Sequence, residues 1–289
     1  MKGLRLGAIA ALGALLFGCG EEQASTADYL GLNQSHVKVM SIENNGRTEG
    51  YSIAWFLRSD SRGELFSLSV SPGTMLPVVR QEFQFTDSGI VRNAMVKQTT
   101  LPSSFADAAG FSAITGNEYT EAERGQTYDG GDTQFSPCMV LTGPKRHDIY
   151  CSGTGEVESS FTTSNAVAKK HLVHFETVNA ESAVGELVAT HIKAARASLL
   201  PEPERELFAK WMDQCPGWVA FTEEPLNAID TARACNCVYD RDKENAQTVA
   251  EYSDHPAPLG NGTNAQEFEN LAWQCAVDAQ GSWLKLPAR

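Results

Sequence analysis

Apolar and polar positions alternate with a period of two over the first half of the chain and with a helical period over the second. Tyr51, Ile53, Trp55 and Leu57 alternate with Ser52, Ala54 and Phe56, and Phe66, Leu68 and Val70 alternate with Ser67, Ser69 and Ser71. A period of two puts one set on a buried face and the other on the opposite face, so these segments predict strands of a half-buried sheet. Asn44-Asn45-Gly46 and Ser59-Asp60-Ser61-Arg62-Gly63 supply turns. Further strands are predicted at 78–85, 90–98, 135–142, 147–151, 155–161 and 170–178. Residues 101–130 carry small residues and several glycines, and read as a long connection or a short helix.

From residue 182 the spacing changes. Val184, Leu187, Val188, Ile192, Ala195 and Leu199 share one helical face, which ends at Pro201 and Pro203. Leu207, Phe208, Trp211, Met212 and Cys215 form a second stripe, stopped by Pro216-Gly217. A third helix is predicted over roughly 229–250. A fourth starts at Asn264, carries Glu267 three residues on, and ends before Gly281. The fold class is therefore α+β: a mainly antiparallel sheet region over 36–180, then a helical, cysteine-rich region over 181–289. Two separate units and one sheet covered by helices both fit this order, and the cysteine distribution favours two units.

The extreme N-terminus follows neither pattern. Lys2 and Arg5 precede a glycine-studded apolar run over residues 6–17. That run is shorter than the ~20 residues needed to cross a bilayer and suits the apolar part of an export signal. It ends in Leu16-Phe17-Gly18-Cys19, which resembles the lipobox of bacterial lipoproteins, with Phe17 departing from the usual small residue. The resemblance implies a signal peptide over 1–18 that is removed. It also implies diacylglycerol on the Cys19 thiol, acylation of the new amine, and anchoring in the envelope. Gly20, where an Asp favours inner-membrane retention, leans towards the outer membrane. Residues 19–35 then read as lipidated Cys and polar tether.

An exported chain changes how its cysteines are read. Of seven, six remain once Cys19 is set aside: Cys138, Cys151, Cys215, Cys235, Cys237 and Cys275. An even number in an oxidising compartment predicts three disulfides. Cys138 and Cys151 flank the Gly143–Arg146 turn symmetrically, so a hairpin sets them opposite each other. Cys235 and Cys237 lie about 200° apart on a helix and must staple different elements. Cys215 and Cys275 remain for them, with Cys215–Cys235 and Cys237–Cys275 preferred over the crossed pairing. No C-x-x-C pair favours zinc, and no metal or cofactor is expected.

The net charge of −13 repels phosphate backbones and sets nucleic acid aside. Candidate chemistry is sparse. His171 and His174 sit on a predicted strand, where a spacing of three puts them on opposite faces. His191 falls on the apolar face of the first helix. Asp240, Asp242, Glu244 and Glu251 match positions 1, 3, 5 and 12 of a calcium loop, but Asn245 replaces its turn glycine and Gln247 its apolar residue. Asp129-Gly130-Gly131-Asp132 is first a turn. Ser35-His36-Val37-Lys38 fits S-x-x-K without a partner motif. Gly110 to Ile114 lacks the second glycine of a nucleophile elbow, and no G-x-S-x-G, H-E-x-x-H or P-loop occurs. Trp218 and Phe221 in a loop, with Trp283, offer an aromatic patch or a core cap. No catalytic residue can be named. The sequence therefore points to a membrane-anchored envelope protein that binds or scaffolds a protein partner, with an envelope hydrolase as the alternative.

Overall fold

Two antiparallel meanders meet along the first and last strands of one curled sheet. The computed structural model describes residues 24–75, 77–93, 98–102, 107–130, 133–163, 166–220, 225–245, 264–281 and 283–284. The leader, Cys19, Phe221 and Glu251 lie outside the described residues. The first meander comprises β1 (His36–Asn44), β2 (Arg47–Arg58), β3 (Arg62–Ser71), the short β4 (Thr74–Met75), β5 (Val78–Thr86), β6 (Gly89–Asn93) and β7 (Gln98–Leu101). The second comprises β8 (Glu121–Asp129), β9 (Gln134–Thr142), β10 (Arg146–Cys151), β11 (Gly155–Thr162) and β12 (Val167–Thr177). The order is β7-β6-β5-β3-β2-β1-β12-β11-β10-β9-β8, with β4 on β3.

The curl is visible in the packing. Phe83, Ile90 and Leu101 from one end of the sheet share a buried cluster with Met139, Leu141 and Tyr150 from the other. Two short helices fill the space between them. One is α1 (Thr26–Tyr29), which contributes Tyr29, and the other is α2 (Ala108–Thr115), which contributes Phe111. Helix α2 settles part of the unclear stretch at 101–130: Asp107 caps its start and Gly116, at φ 76°, ends it.

Helix α1 corrects the tether reading. Ser25 and Asp28 form a reciprocal capping box, and Tyr29 and Leu32 are buried in the sheet's interior. Two glycines make this docking possible. A Cβ on Gly31, at φ +69°, would lie 2.8 Å from the Thr154 carbonyl oxygen, and one on Gly155, at φ +80°, 2.9 Å from the Leu30 carbonyl oxygen. Backbone therefore touches backbone, and the residues between 26 and 32 belong to the folded body.

Helices lie on the outer side of the sheet, and the first and third of them pack directly on its central strands. The helices are α3 (Glu181–Ser198), α4 (Glu202–Gln214), α5 (Ala228–Asn245) and α6 (Asn264–Gly281). Val184, Val188, Ile192 and Ala195 of α3, with Ile229 and Ala232 of α5, share a core with Val37, Val39, Ile53, Trp55, Leu68 and Val70. The change in secondary structure falls at Glu181, but the packing runs across it, as one sheet covered by helices. Outside this layer, α4, α5 and α6 build a second core from Phe208, Trp211, Tyr239 and Phe268. Burying each such ring contributes roughly 1.5–3 kcal/mol.

Three disulfides join Cys138 to Cys151, Cys215 to Cys235, and Cys237 to Cys275. The first lies across β9 and β10, where the register sets Cys151 opposite Cys138. The other two leave α5 in different directions, one to the end of α4 and one to α6.

The chain's last described strand, β13 (Trp283–Leu284), returns to the sheet and pairs in parallel with β5 at Val78. Trp283 packs its ring edge-on to Trp55 and Phe66, at 6.1 and 5.7 Å between centroids. Its Nε1 donates to Asp230 Oδ1 at 2.7 Å. Asp230 also accepts from Asn227 and Arg233, and Arg233 donates to the Ala279 carbonyl. One indole thus clasps α5, α6 and the sheet. Trp283→Phe keeps an aromatic ring but removes a donor to a buried carboxylate. It should cost about 1–2 kcal/mol, read as a lower denaturation midpoint at constant slope. An unchanged midpoint would show that the indole N–H is not part of the clasp.

Candidate functional site

The largest gathering of histidines lies on the outer face of β1, β12 and β11, against α3. It holds three of the chain's six: His171, His174 and His191. Strand alternation alone would separate His171 from His174. The register shows why it does not. His171 stands opposite Ser41 and His174 opposite Val39, with Val173 left over between them. Ser41 and Val39 are two apart on β1 and share a face, so the bulge at Val173 brings both histidines to the helix side. The expectation of opposite faces is corrected by this one extra residue.

His171 lies in a polar row. Ser41 Oγ is 2.9 Å from its Nδ1 and 3.0 Å from its Nε2, and so can bond only one nitrogen at a time. Glu43 Oε1 is 3.5 Å from Nδ1. Glu158 faces the same ring from β11 and holds Lys169 at 3.4 Å. Ser41, His171 and Glu43 have the composition of an acyl-transfer relay, but their setting does not serve one. Ser41 is 3% exposed, and its backbone is paired with β2 and β12. The neighbouring N–H groups are spent in the ladders, so none is left to stabilise an oxyanion.

His174 and His191 form the second part of the row. Their ring centroids are 4.3 Å apart, one on β12 and the other on α3. The Nε2 atoms of both are buried without a hydrogen bond. Glu176 Oε2 lies 3.4 Å from the His174 Nε2, outside hydrogen-bond alignment. Desolvation lowers the His191 pKa, the His174 ring lowers it further, and Glu176 partly offsets both.

A second set of ionisable groups lines the interior, and sequence reasoning missed it. The Lys38 ammonium donates to the carbonyls of Thr154 and Glu156, at 3.4 and 3.2 Å. Burial lowers its pKa, while the Glu156 carboxylate raises it. Tyr119 and Arg146 both donate to Asp148 Oδ2, whereas Asp148 Oδ1 is buried without a partner. Desolvation raises Asp148 despite these bonds, and drives Tyr150 well above the usual phenol range. The available signal was strand alternation itself: His36, Lys38 and Met40 share the face opposite Val37 and Val39.

Other candidates do not converge. Ser35 Oγ accepts from the Arg58 amide at 2.8 Å, so Ser35 and Lys38 serve different contacts and form no nucleophile pair. Asp240 and Asp242 lie within α5 rather than in a loop, and Asp240 pairs with the buried Arg196 of α3. That arrangement replaces the calcium loop. Trp218 packs edge-on against Trp211 and Phe268, as a core cap. Among the described residues no group of three or more His, Cys, Asp or Glu is placed to hold a metal ion. None of the described helices is long and apolar enough to cross a membrane.

No known family profile matches the chain, and no curated protein matches it. Among solved structures, it is similar to a beta-barrel-like protein of domain of unknown function DUF1849 from Brucella abortus. That match has 8% identity and a TM-score of 0.23, and covers 50% of this chain and 98% of the other. It is also similar to LprF from Mycobacterium bovis, at 10% identity and a TM-score of 0.19, covering 50% of this chain and 86% of the other. Similarities this slight carry no argument about role.

Proposed function

We propose that this protein is a lipid-anchored envelope protein whose folded body binds or scaffolds a protein partner without turning over a substrate. The observation that carries the non-catalytic reading is the enclosure of Ser41. Its hydroxyl meets His171 inside a fully laddered sheet, with no donors left for a developing charge. The lipobox-like end at Cys19 supports the anchor. The surface supports binding: Trp273 and Val277, one turn apart on α6, are 52% and 37% exposed. A large aromatic such as Trp273, left exposed on a stapled helix, is a favoured contact between proteins.

The test combines two arms. A photo-crosslinking residue at position 273 in the anchored protein should capture a defined envelope protein, and one at exposed position 202 should not. In parallel, the protein is offered ester, glycan and peptide substrates. Capture at 273 without turnover supports the reading. The row Ser41, His171 and Glu43 favours the alternative, an envelope hydrolase. Turnover that disappears in Ser41→Ala would put that alternative in its place.

A further inference from the structure

We infer that the contact between His174 and His191 is a proton-sensitive latch between the sheet and α3, closed when the rings are neutral and loosened when both are protonated. The inference does not depend on the proposed function. It stands first on geometry. The rings touch across a joint between two elements, at 4.3 Å between centroids, and neither Nε2 has a hydrogen-bond partner. Two neutral imidazoles can pack in this way. Two imidazolium ions at this distance repel, and each needs acceptors for two N–H groups.

Water reaches the His174 side chain, which is 38% exposed, but the elements packed against the pair supply few charges to balance it. On α3, the positions one turn from His191 are Leu187, Val188, Ala194 and Ala195, none of them ionisable. On β1, the side facing the joint presents Val37, Val39 and Ser41, with Glu43 already beside His171. On β2, the same side presents Ile53, Trp55 and Tyr51. On β12, it presents His171 and Glu176, and on β11 Glu158, which holds Lys169. From α5, Asp240 is taken up by Arg196. Among the described residues, Glu176 is therefore the carboxylate turned to the pair, and it can balance one added proton but not two. The bulge at Val173 turns His174 towards α3. Lowering of the His191 pKa by desolvation agrees with a joint that resists protonation while closed.

The latch predicts local opening of α3 on acidification. Hydrogen–deuterium exchange on the full chain, corrected for intrinsic rates, is compared at about pH 7.5 and about pH 5.5 for peptides covering 184–198 and for peptides of β5. Opening that takes up one proton steepens by up to about tenfold per pH unit. Exchange in α3 should therefore rise well beyond that in β5, and His191→Gln and His174→Gln should each flatten the excess. An α3 response identical in wild type and both variants overturns the latch. So does a rise that is equal in α3 and β5, because it reports global unfolding. If a variant fails to fold, titration of the His191 ring by NMR in the wild type decides. Its midpoint should shift together with α3 exchange, and a titration with no change in α3 refutes the proposal.

Discussion

Removing the Cys237–Cys275 bridge, as in C237S/C275S, should destabilise the α4–α5–α6 layer by about 2–5 kcal/mol while leaving the interior of the sheet formed. The bridge closes a segment of 38 residues, the longest of the three separations. Chain-entropy arguments give longer segments the larger stabilisation. Its sulfurs also lie inside the core built by Phe208, Trp211, Tyr239 and Phe268. Without the bridge, α6 keeps its apolar face but loses its fixed partner on α5. Limited proteolysis should then cut α6 first, and the aromatic near-UV signal from Trp211 and Trp218 should weaken before the strand signal does. The Cys138–Cys151 bridge closes only 13 residues within a hairpin already held by its ladder. Its loss should cost less. Equal losses for both bridges would mean that packing, rather than chain closure, sets their contributions.

Stability should fall on acidification below about pH 6.5, and His36 should account for the largest single share. The ring is buried between Phe56 and Phe175, and its Nδ1 is 3.1 Å from the Gln34 carbonyl oxygen. Desolvation, with a smaller contribution from Lys38, lowers its pKa to about 4 from 6.5. The folded protein therefore refuses a proton that the unfolded chain accepts. The stabilisation is complete above the unfolded value and drains away as the pH drops from about 6.5 to about 4. Over that window the loss is on the order of 3 kcal/mol. Asp148 and Asp230 act with the opposite sign. Burial raises both carboxyls, so the folded state binds their protons more readily, and acid returns some stability at the low end. Chemical denaturation across this range, with His36→Phe beside the wild type, measures the share. The variant's profile should be flatter by about one proton, and parallel profiles would exclude His36 as the source.

How much of this was legible depends on whether a feature is local. The strands with clean alternation, such as Phe66, Leu68 and Val70, and the helix with Val184, Val188 and Ile192, are properties of single segments. Their side-chain periods reveal them directly. The opposition of Cys138 and Cys151 follows from distance to one turn. What escaped depends on two segments meeting. Polar residues before Asp28 look like tether, and only the backbone contact of Gly31 with Thr154 makes Tyr29 a core residue. The face that His174 occupies depends on a pairing irregularity with β1, which no count along 170–178 contains. Asp240 and Asp242 show the reverse error. Their spacing imitates a calcium loop, but helix propensity continues through them and Arg196 claims Asp240. The polar interior around Lys38 and Asp148 was open to alternation, yet a lysine in a strand is ordinarily assigned to solvent.

The docking of α1 has a mechanical meaning for a chain held at Cys19. The α1 cap is Ser25, so five residues lie between the folded body's first helix and Cys19, the position a lipobox would acylate. The six Cα–Cα steps from Cys19 to Ser25 span at most about 20 Å. Such a leash is shorter than the body it holds. With Cys19 as the anchored residue, the protein rides on the bilayer surface, with the α1 end and the neighbouring Thr154 turn nearest the lipid. On the proposed anchoring, a protein partner would have to come to the membrane to be met.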